Sequence, residues 1–320
     1  AYMEQGTPDN KGNTTGWLTR HLQTAENLQP NPVVPSLTAG TLQPTSLLGK
    51  YDSITMSQIS NFNLDSGPWN WRDAQKATLT DIYNSGSSAI HQAGAEAIAA
   101  VDAVSGASTS YTPLGNPYPD NGFGDQLQII AQMVKLQLGL STATVDLGGW
   151  DTHDNQIWYG DPAGGYFGDL ITTLSQGLNA FYTDLQASPG NYAERVTVVV
   201  MSEFGRRLRE NAERGTDHGH GSMMMVLGGQ VNGGLHGQWP GLHNDQLYDG
   251  ADLEVTTDYR QVLSEILIRR FANPMLGTIF PGYTDYSPLN LVQGTDLSPN
   301  YETGATPYDN NIYLPMAQRS

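Results

Sequence analysis

The sequence contains no cysteine and carries little positive charge, and each shortage limits what the protein can do. Without cysteine, the chain cannot form disulfides, Cys-ligated zinc sites, iron–sulfur clusters or a cysteine nucleophile. Only 15 Lys plus Arg stand against 32 Asp plus Glu, so the formal net charge is −17. A surface this acidic repels phosphate backbones and anionic lipid, and we therefore expect no nucleic-acid partner and no membrane-surface role.

Long apolar runs and an amino-terminal signal segment are also missing from the sequence. No stretch approaches the roughly 20 apolar residues that a membrane span needs, and no basic segment followed by an apolar one opens the chain. The first residues, 1–8, resemble the interior of a protein and predict a mature or trimmed chain. With 320 residues, 36 Gly and 18 Pro, we expect a folded but loop-rich protein.

Apolar residues recur at helical and strand spacing from residue 73 onward. The patterns predict helices over 73–104, 126–138, 166–186 and 257–272, and strands over 142–147, 196–201 and 223–227. Thr256 or Thr257 is the expected N-cap of the last helix. Uninterrupted β-branched runs between helices are typical of strands buried on both faces, so the predicted fold class is α/β, with a largely parallel central sheet flanked by helices.

The order of these patterns along the chain predicts one main domain. We expect an α/β domain over 1–285, in which residues 1–70 form loops and short elements packed over the sheet. Residues 286–320 are polar and predict a C-terminal extension or tail.

Histidines and acidic residues concentrate beyond the ends of the predicted strands. Their positions after 142–147, after 196–201 and before 223–227 single out Asp151, His153, Glu203, Arg206, Asp217, His218 and His220. Ligands of open α/β sheets gather at the carboxyl ends of the strands, so we expect these side chains to form one site.

The spacing of these residues favours metal binding. Asp151 and His153, two residues apart in a turn, can reach the same ion, whereas the adjacent Asp217 and His218 can serve two neighbouring ions. Mixed carboxylate and imidazole ligands suit Zn²⁺ or Mn²⁺ better than Ca²⁺, which stays an alternative. Each residue taken alone could equally cap a helix or tie loops together, and only their joint placement indicates a metal site.

The basic residues Arg206, Arg207 and Arg209 have two interpretations. They can hold an anionic group of a substrate, for which Arg206 is the main candidate, or they can belong to a helical salt-bridge face with Glu210 and Glu213. His21 and His91 lie far from the cluster in sequence and are predicted to be structural.

Six pieces of the sequence together resemble a known family. They are 2–8, 14–18, 148–153 (GGWDTH), 202–206 (SEFGR), 216–221 (TDHGHG) and 234–237. They resemble the family catalogued as domain of unknown function 1501, a branch of the alkaline phosphatase and sulfatase superfamily, over roughly 1–285. The resemblance implies an alkaline-phosphatase-like fold and an exported protein, periplasmic or at the cell surface, often carried by a twin-arginine signal.

The resemblance also implies metal ligands. Asp151 and His153 match the first Asp-plus-His pair, and Asp217 with His218 matches the later Asp-His pair. Glu203 matches the acid after the next core strand of the superfamily pattern, but Phe204 stands where that superfamily pattern has His. One metal therefore lacks a usual ligand unless His220 or Asp217 substitutes for it.

A further departure lies upstream of the chain. Family members begin with a strand, an Arg-Gly-Gly-x-Asp-like turn and a Ser-His-Phe segment, and in the superfamily this region supplies a metal-binding Asp and the Ser or Thr nucleophile. The present sequence starts after that region. We therefore expect a segment upstream of residue 1, processed off or absent, to supply the nucleophile, and it can stay associated as a partner.

Three functions follow from the sequence. The first is a metal-dependent hydrolase of phosphate or sulfate esters, acting on a small-molecule or polysaccharide ester. The second is a non-catalytic secreted surface or assembly protein that retains the hydrolase fold. The third is a carbohydrate-binding module with Trp17, Trp150, Trp158 and Trp239 as stacking platforms. The oligomeric state, including a homo-oligomer, stays open.

Overall fold

Three short strands form a parallel sheet at the centre of the computed structural model, which describes residues 2–8, 12–30, 32–50, 53–64, 68–107, 111–158, 161 and 163–304. β1 (Ser36–Ala39) is the central strand, flanked by β2 (Ile54–Met56) and β3 (Thr142–Val145). Every residue of β1 is buried. The fold is therefore mixed α/β, but the residues before 70, expected as covering loops, supply two of the three parallel strands.

The remaining strands do not extend this sheet. β4 (Thr197–Val200) pairs antiparallel with β7 (Met225–Gly228), and the two-residue strands β5 (Gly205–Arg206) and β6 (His218–Gly219) form an antiparallel ribbon. The prediction of a largely parallel sheet is thus wrong for the two apolar runs around 196–227, because apolar β-branched residues specify burial but not strand direction. Among the described residues, β3 and β4 each pair along one edge only.

Helices account for most of the remaining regular secondary structure. They are α1 (Tyr2–Gln5), α2 (Trp17–Thr24), α3 (Arg72–Asn84), α4 (Ala89–Ala107), α5 (Gly122–Leu136), α6 (Tyr166–Ala187), α7 (Tyr259–Phe271) and α8 (Leu276–Ile279). The single helical region predicted over 73–104 is two helices, interrupted by the Ser-Gly-Ser-Ser sequence of 85–88. The N-cap of α7 is Asp258, whose carboxylate accepts from Arg260 N, and not Thr256 or Thr257.

The hydrophobic core surrounds β4 on both faces. Val198 and Val200 pack on a cluster formed mainly by β1, α5 and α6, whereas Val199 packs on two clusters built around α7. All four β4 residues are nevertheless only half-buried. Because both faces are covered, we attribute this exposure to the edge of β4 that no strand in the described part of the chain pairs with.

The described part of the C-terminal extension, 286–304, packs on the domain. Leu291 and Val292 are buried against Val262 and Ile266 of α7. Farther along, Asn300 N donates to Pro274 O at 2.7 Å. The rest of the extension lies outside the described residues. Within the described residues, no helix combines the length and the hydropathy that a membrane crossing requires.

Candidate metal centre

Two loops come together beyond the end of β3. The first turns through Gly149, whose φ of +95° favours glycine, and presents residues 150–153. The second, 207–217, runs beside it, and Asn155 N donates to Glu213 O at 3.0 Å. A Cβ at Gly215 would lie 2.1 Å from His153 O, so only glycine permits this approach.

Three side chains from these loops converge. Asp151 Oδ1 lies 2.9 Å from His153 Nε2 and 2.7 Å from His218 Nε2. One ligand atom from each residue lies within 4.8 Å of those of the other two. The three side chains are 60%, 41% and 50% exposed, in that order, so solvent reaches the group. The structure thus joins three of the six side chains predicted as metal ligands.

Asp217 lies next to this group and contacts His153 Nδ1, the ring nitrogen that does not face Asp151. Its Oδ1 is 3.1 Å from His153 Nδ1 and accepts from Asn211 Nδ2 at 3.2 Å. Asn211 Nδ2 also lies 2.7 Å from His153 O. A carboxylate on the outer nitrogen of a metal-binding histidine fixes the tautomer and orientation of the ring. Asp217, predicted to serve one of two neighbouring ions, here contacts His153.

Asn211 was not identified from the sequence, although its turn carries a recognisable signal. Its Oδ1 accepts from Glu213 N at 2.9 Å and from Gly215 N at 3.0 Å. This is the local side-chain-to-backbone bonding that Asn provides in turns that end in glycine. Asn211 therefore both shapes the second loop and holds Asp217.

Hydrogen bonds at the group lower the pKa values of both aspartates. The pKa of Asp151 is lowered mainly by the hydrogen bond with His218, with smaller effects of His153 and Arg206. The pKa of Asp217 is lowered by the hydrogen bond from Asn211 and then by that with His153. Both carboxylates therefore keep the negative charge that a cation site needs.

Arg206 joins the two loops through their backbone. Its Nη1 donates to Thr216 O and its Nη2 to Trp150 O, and Nη2 lies 3.4 Å from Asp151 Oδ1. Each carbonyl belongs to the residue just before an aspartate of the site. Arg206 lies in β5, and its neighbours form no helix, so the interpretation as a helical salt-bridge face with Glu210 and Glu213 is wrong. Its role in binding an anionic substrate stays a prediction.

The ring of Phe204 packs directly on a histidine of the group. It stacks on His218 with a centroid distance of 4.2 Å and an interplanar angle of 13°. The Arg206 guanidinium carbon also lies 4.8 Å from the centroid of Phe204. An apolar ring thus occupies the position at which the superfamily resemblance implies a histidine.

The two other predicted ligands lie outside the three-residue group. Glu203 is exposed on the segment between β4 and β5. His220 stacks on Tyr248 at 3.7 Å between centroids. Among the described residues, neither of them belongs to the group of ligand atoms that Asp151, His153 and His218 form.

The four tryptophans proposed as sugar platforms differ in their surroundings. Trp17 packs on Phe280 and Trp150 on Phe167, and both rings are partly buried. Trp158 and Trp239 are 62% and 68% exposed. The histidine predicted to be structural at position 21 is fully buried.

The donor set fits a divalent transition metal. Two imidazole nitrogens and a carboxylate oxygen are ligands that zinc and manganese accept. Three protein ligands with solvent access are also the pattern of catalytic sites, which keep one coordination position open. A possible metal-binding triad is therefore present, and the identity of the metal is not determined by these ligands.

The fold and this triad define an α/β protein with a candidate metal centre, and comparison with known families agrees with the resemblance noted in the sequence. The family model described as protein of unknown function (DUF1501) matches residues 3–272. The chain therefore belongs to this family. No curated protein and no solved structure gives a significant match.

Proposed function

We propose that the protein is an exported, metal-dependent hydrolase of phosphate or sulfate esters. The observation that carries this proposal is the convergence of Asp151, His153 and His218 on one point, with an open side, beyond the end of β3. Ligand sites of α/β proteins favour this end of the strands. A divalent ion bound there would polarise the ester and stabilise the negative charge that develops on its oxygens.

The residues around the triad have distinct tasks in this proposal. Asp217 orients His153, because its Oδ1 contacts Nδ1, the ring nitrogen outside the triad, and Asn211 holds Asp217 in place. Arg206 fixes the two loops relative to each other through hydrogen bonds with a backbone carbonyl of each. It also places a positive charge beside Asp151. An anionic ester approaching the open side would meet that charge.

The nucleophile is proposed to come from a segment upstream of residue 1. Support comes from the edges of β3 and β4 that no strand of the described residues pairs with, since free strand edges offer backbone donors and acceptors to an added strand. A strand parallel to β3 would end on the same side as the loop that carries Asp151. A Ser or Thr just beyond that end would lie near the triad.

Hydrolysis assays on two forms of the protein test the proposal. The chain 1–320 and a form extended upstream are each loaded with Zn²⁺ or Mn²⁺ and given aryl phosphate and aryl sulfate esters. We expect turnover only by the extended form, and its loss in Asp151→Asn. Turnover by 1–320 alone would contradict an upstream nucleophile, and the absence of turnover by either form would contradict the hydrolase proposal.

A non-catalytic secreted protein that retains the fold is the second candidate. Phe204 favours it, because a stacked apolar ring stands where the superfamily pattern has a metal ligand. In that case the ion would cross-link the two loops, and metal removal would lower the melting temperature although neither form hydrolyses any ester. The turnover assays above separate the two candidates.

A further inference from the structure

We infer that the residues of this chain provide for a single divalent ion at the centre, because Phe204 and Arg206 occupy the space in which a second ion would need ligands. The inference rests on the proposed metal site and adds to it the number of ions. It concerns mechanism, since two ions about 4 Å apart can stabilise both the attacking and the leaving oxygen, whereas one ion leaves one of those tasks to the protein.

The first argument is the charge beside the triad. Arg206 Nη2 lies 3.4 Å from Asp151 Oδ1, and the guanidinium is held in place by the carbonyl oxygens of Trp150 and Thr216. Asp151 is the one carboxylate of the triad, so a second ion that also used it would have to bind close to this guanidinium. A fixed guanidinium beside it repels a second cation and already supplies a positive charge there.

The second argument is the packing of the histidine ring. Phe204 covers a face of His218 with nearly parallel rings, 4.2 Å apart between centroids. Its side chain offers no ligand atom. A second ion on this side of His218 would have to displace the ring and would gain no donor from it.

The third argument is that the other potential metal ligands nearby are engaged in other contacts. Asp217 is engaged by His153 Nδ1 and by Asn211. His220 stacks on Tyr248, away from the triad's ligand atoms. Over the described residues, Asp151, His153 and His218 are the one group of three potential ligands whose atoms lie this close together. One complete donor set is therefore present there, and no second.

The ion count of the purified protein tests the inference. Wild type, Asp151→Asn and Asp154→Asn are loaded with Zn²⁺, dialysed and measured by inductively coupled plasma mass spectrometry. Asp154 is an exposed neighbour outside the triad, so its variant controls for the change in surface charge. We expect one ion per chain in wild type and Asp154→Asn, and none in Asp151→Asn.

Electron paramagnetic resonance of the Mn²⁺-loaded protein gives an independent readout. A single ion gives the spectrum of an isolated Mn²⁺, whereas two ions sharing a carboxylate give an exchange-coupled spectrum. Two Asp151-dependent ions with a coupled spectrum would overturn the inference and leave the proposed hydrolase function standing. No Asp151-dependent ion would overturn both. Circular dichroism of Asp151→Asn verifies that the variant is folded.

Discussion

At the scale of single residues, His21 shows how burial sets a charge state. The ring is fully buried, its Nδ1 lies 3.0 Å from the amide nitrogen of Asn273, and it packs edge-on to Phe271. Asn273 donates this bond, so Nδ1 carries no proton. Desolvation lowers the pKa of His21 from its ordinary value of 6.5 to about 4. The folded protein therefore keeps this ring neutral where the unfolded chain would protonate it.

This neutral histidine predicts a loss of stability in weak acid. The pKa of His21 is lower in the folded than in the unfolded chain. The destabilisation of the folded protein that follows is therefore absent above pH 6.5 and grows as the pH falls to about 4. The total is about 3 kcal/mol at 1.36 kcal/mol per pH unit. Urea unfolding of wild type and His21→Gln at pH 7 and pH 5 measures it. The free energy of unfolding should fall less between pH 7 and pH 5 in the variant than in wild type. An equal fall in both proteins would contradict a neutral His21.

Asn211 predicts a second effect at the residue scale. Asn211→Ala removes the amide that holds Asp217 and the carbonyl oxygen of His153. Outer-shell changes of this kind lower metal affinity by about 10- to 100-fold. Competition with a chromogenic chelator measures the affinity, with Asn244→Ala, a surface Asn bonded to Arg209, as the control. Equal affinities in both variants would show that Asn211 does not support the site.

The sequence identifies residues of the site better than it identifies their roles. Asp151, His153 and His218 follow from residue type and position after strands. The roles of Asn211 and Arg206 do not, because they act through backbone carbonyls that are far away in sequence: Arg206 lies 56 residues from Trp150. Sequence spacing carries no information on which distant carbonyl a guanidinium will meet.

At the scale of elements, a buried carboxylate attaches the C-terminal extension to α7. Glu265 is fully buried, and its two oxygens accept from the backbone N–H groups of Leu289, Leu291 and Val292. Arg269, one turn later on α7, lies 3.3 Å from it. The carboxylate thus replaces the hydrogen bonds with water that the irregular segment 289–292 loses on burial.

Replacement of this carboxylate should be costly. Glu265→Leu leaves three backbone N–H groups without their acceptor and removes the buried carboxylate beside Arg269, and the free energy of unfolding should fall by about 3–5 kcal/mol. Glu265→Gln retains an acceptor oxygen and should cost less. Urea unfolding tests both, with the exposed Glu96→Gln expected to stay within about 0.5 kcal/mol of wild type. A Glu265→Leu variant as stable as wild type would contradict this role.

Helices were more predictable than strand pairing. The predicted helix over 166–186 is observed at 166–187, and that over 257–272 at 259–271, because apolar spacing marks one helix face. The strands β1 and β2 were missed, since four- and three-residue runs that include Ser and Thr lack a strand signature. The sequence does not predict the antiparallel pairing of β4 with β7, because the direction of a strand depends on how the connecting segments run and not on its own apolar residues.

At the scale of the whole molecule, the strands that lead into the loops of the candidate site are packed in the core clusters. β4 lies between the cluster of α5 and α6 and the clusters of α7, and the segment after β4 leads to Phe204 and Arg206. The strand β3 packs on the first cluster and leads to Asp151. The two loops of the site are therefore anchored in one continuous packing arrangement, and Arg206 joins their ends.

Because the surface is acidic, a metal count alone does not establish the site, and the position of the bound ion must be measured. With a net charge of −17, the protein attracts divalent cations at many exposed carboxylates. The direct measurement is anomalous diffraction at the zinc edge from crystals of the Zn²⁺-loaded protein. The account predicts one strong peak about 2.0–2.2 Å from Asp151 Oδ1, His153 Nε2 and His218 Nε2. An empty triad, with zinc held only by other carboxylates, would contradict it.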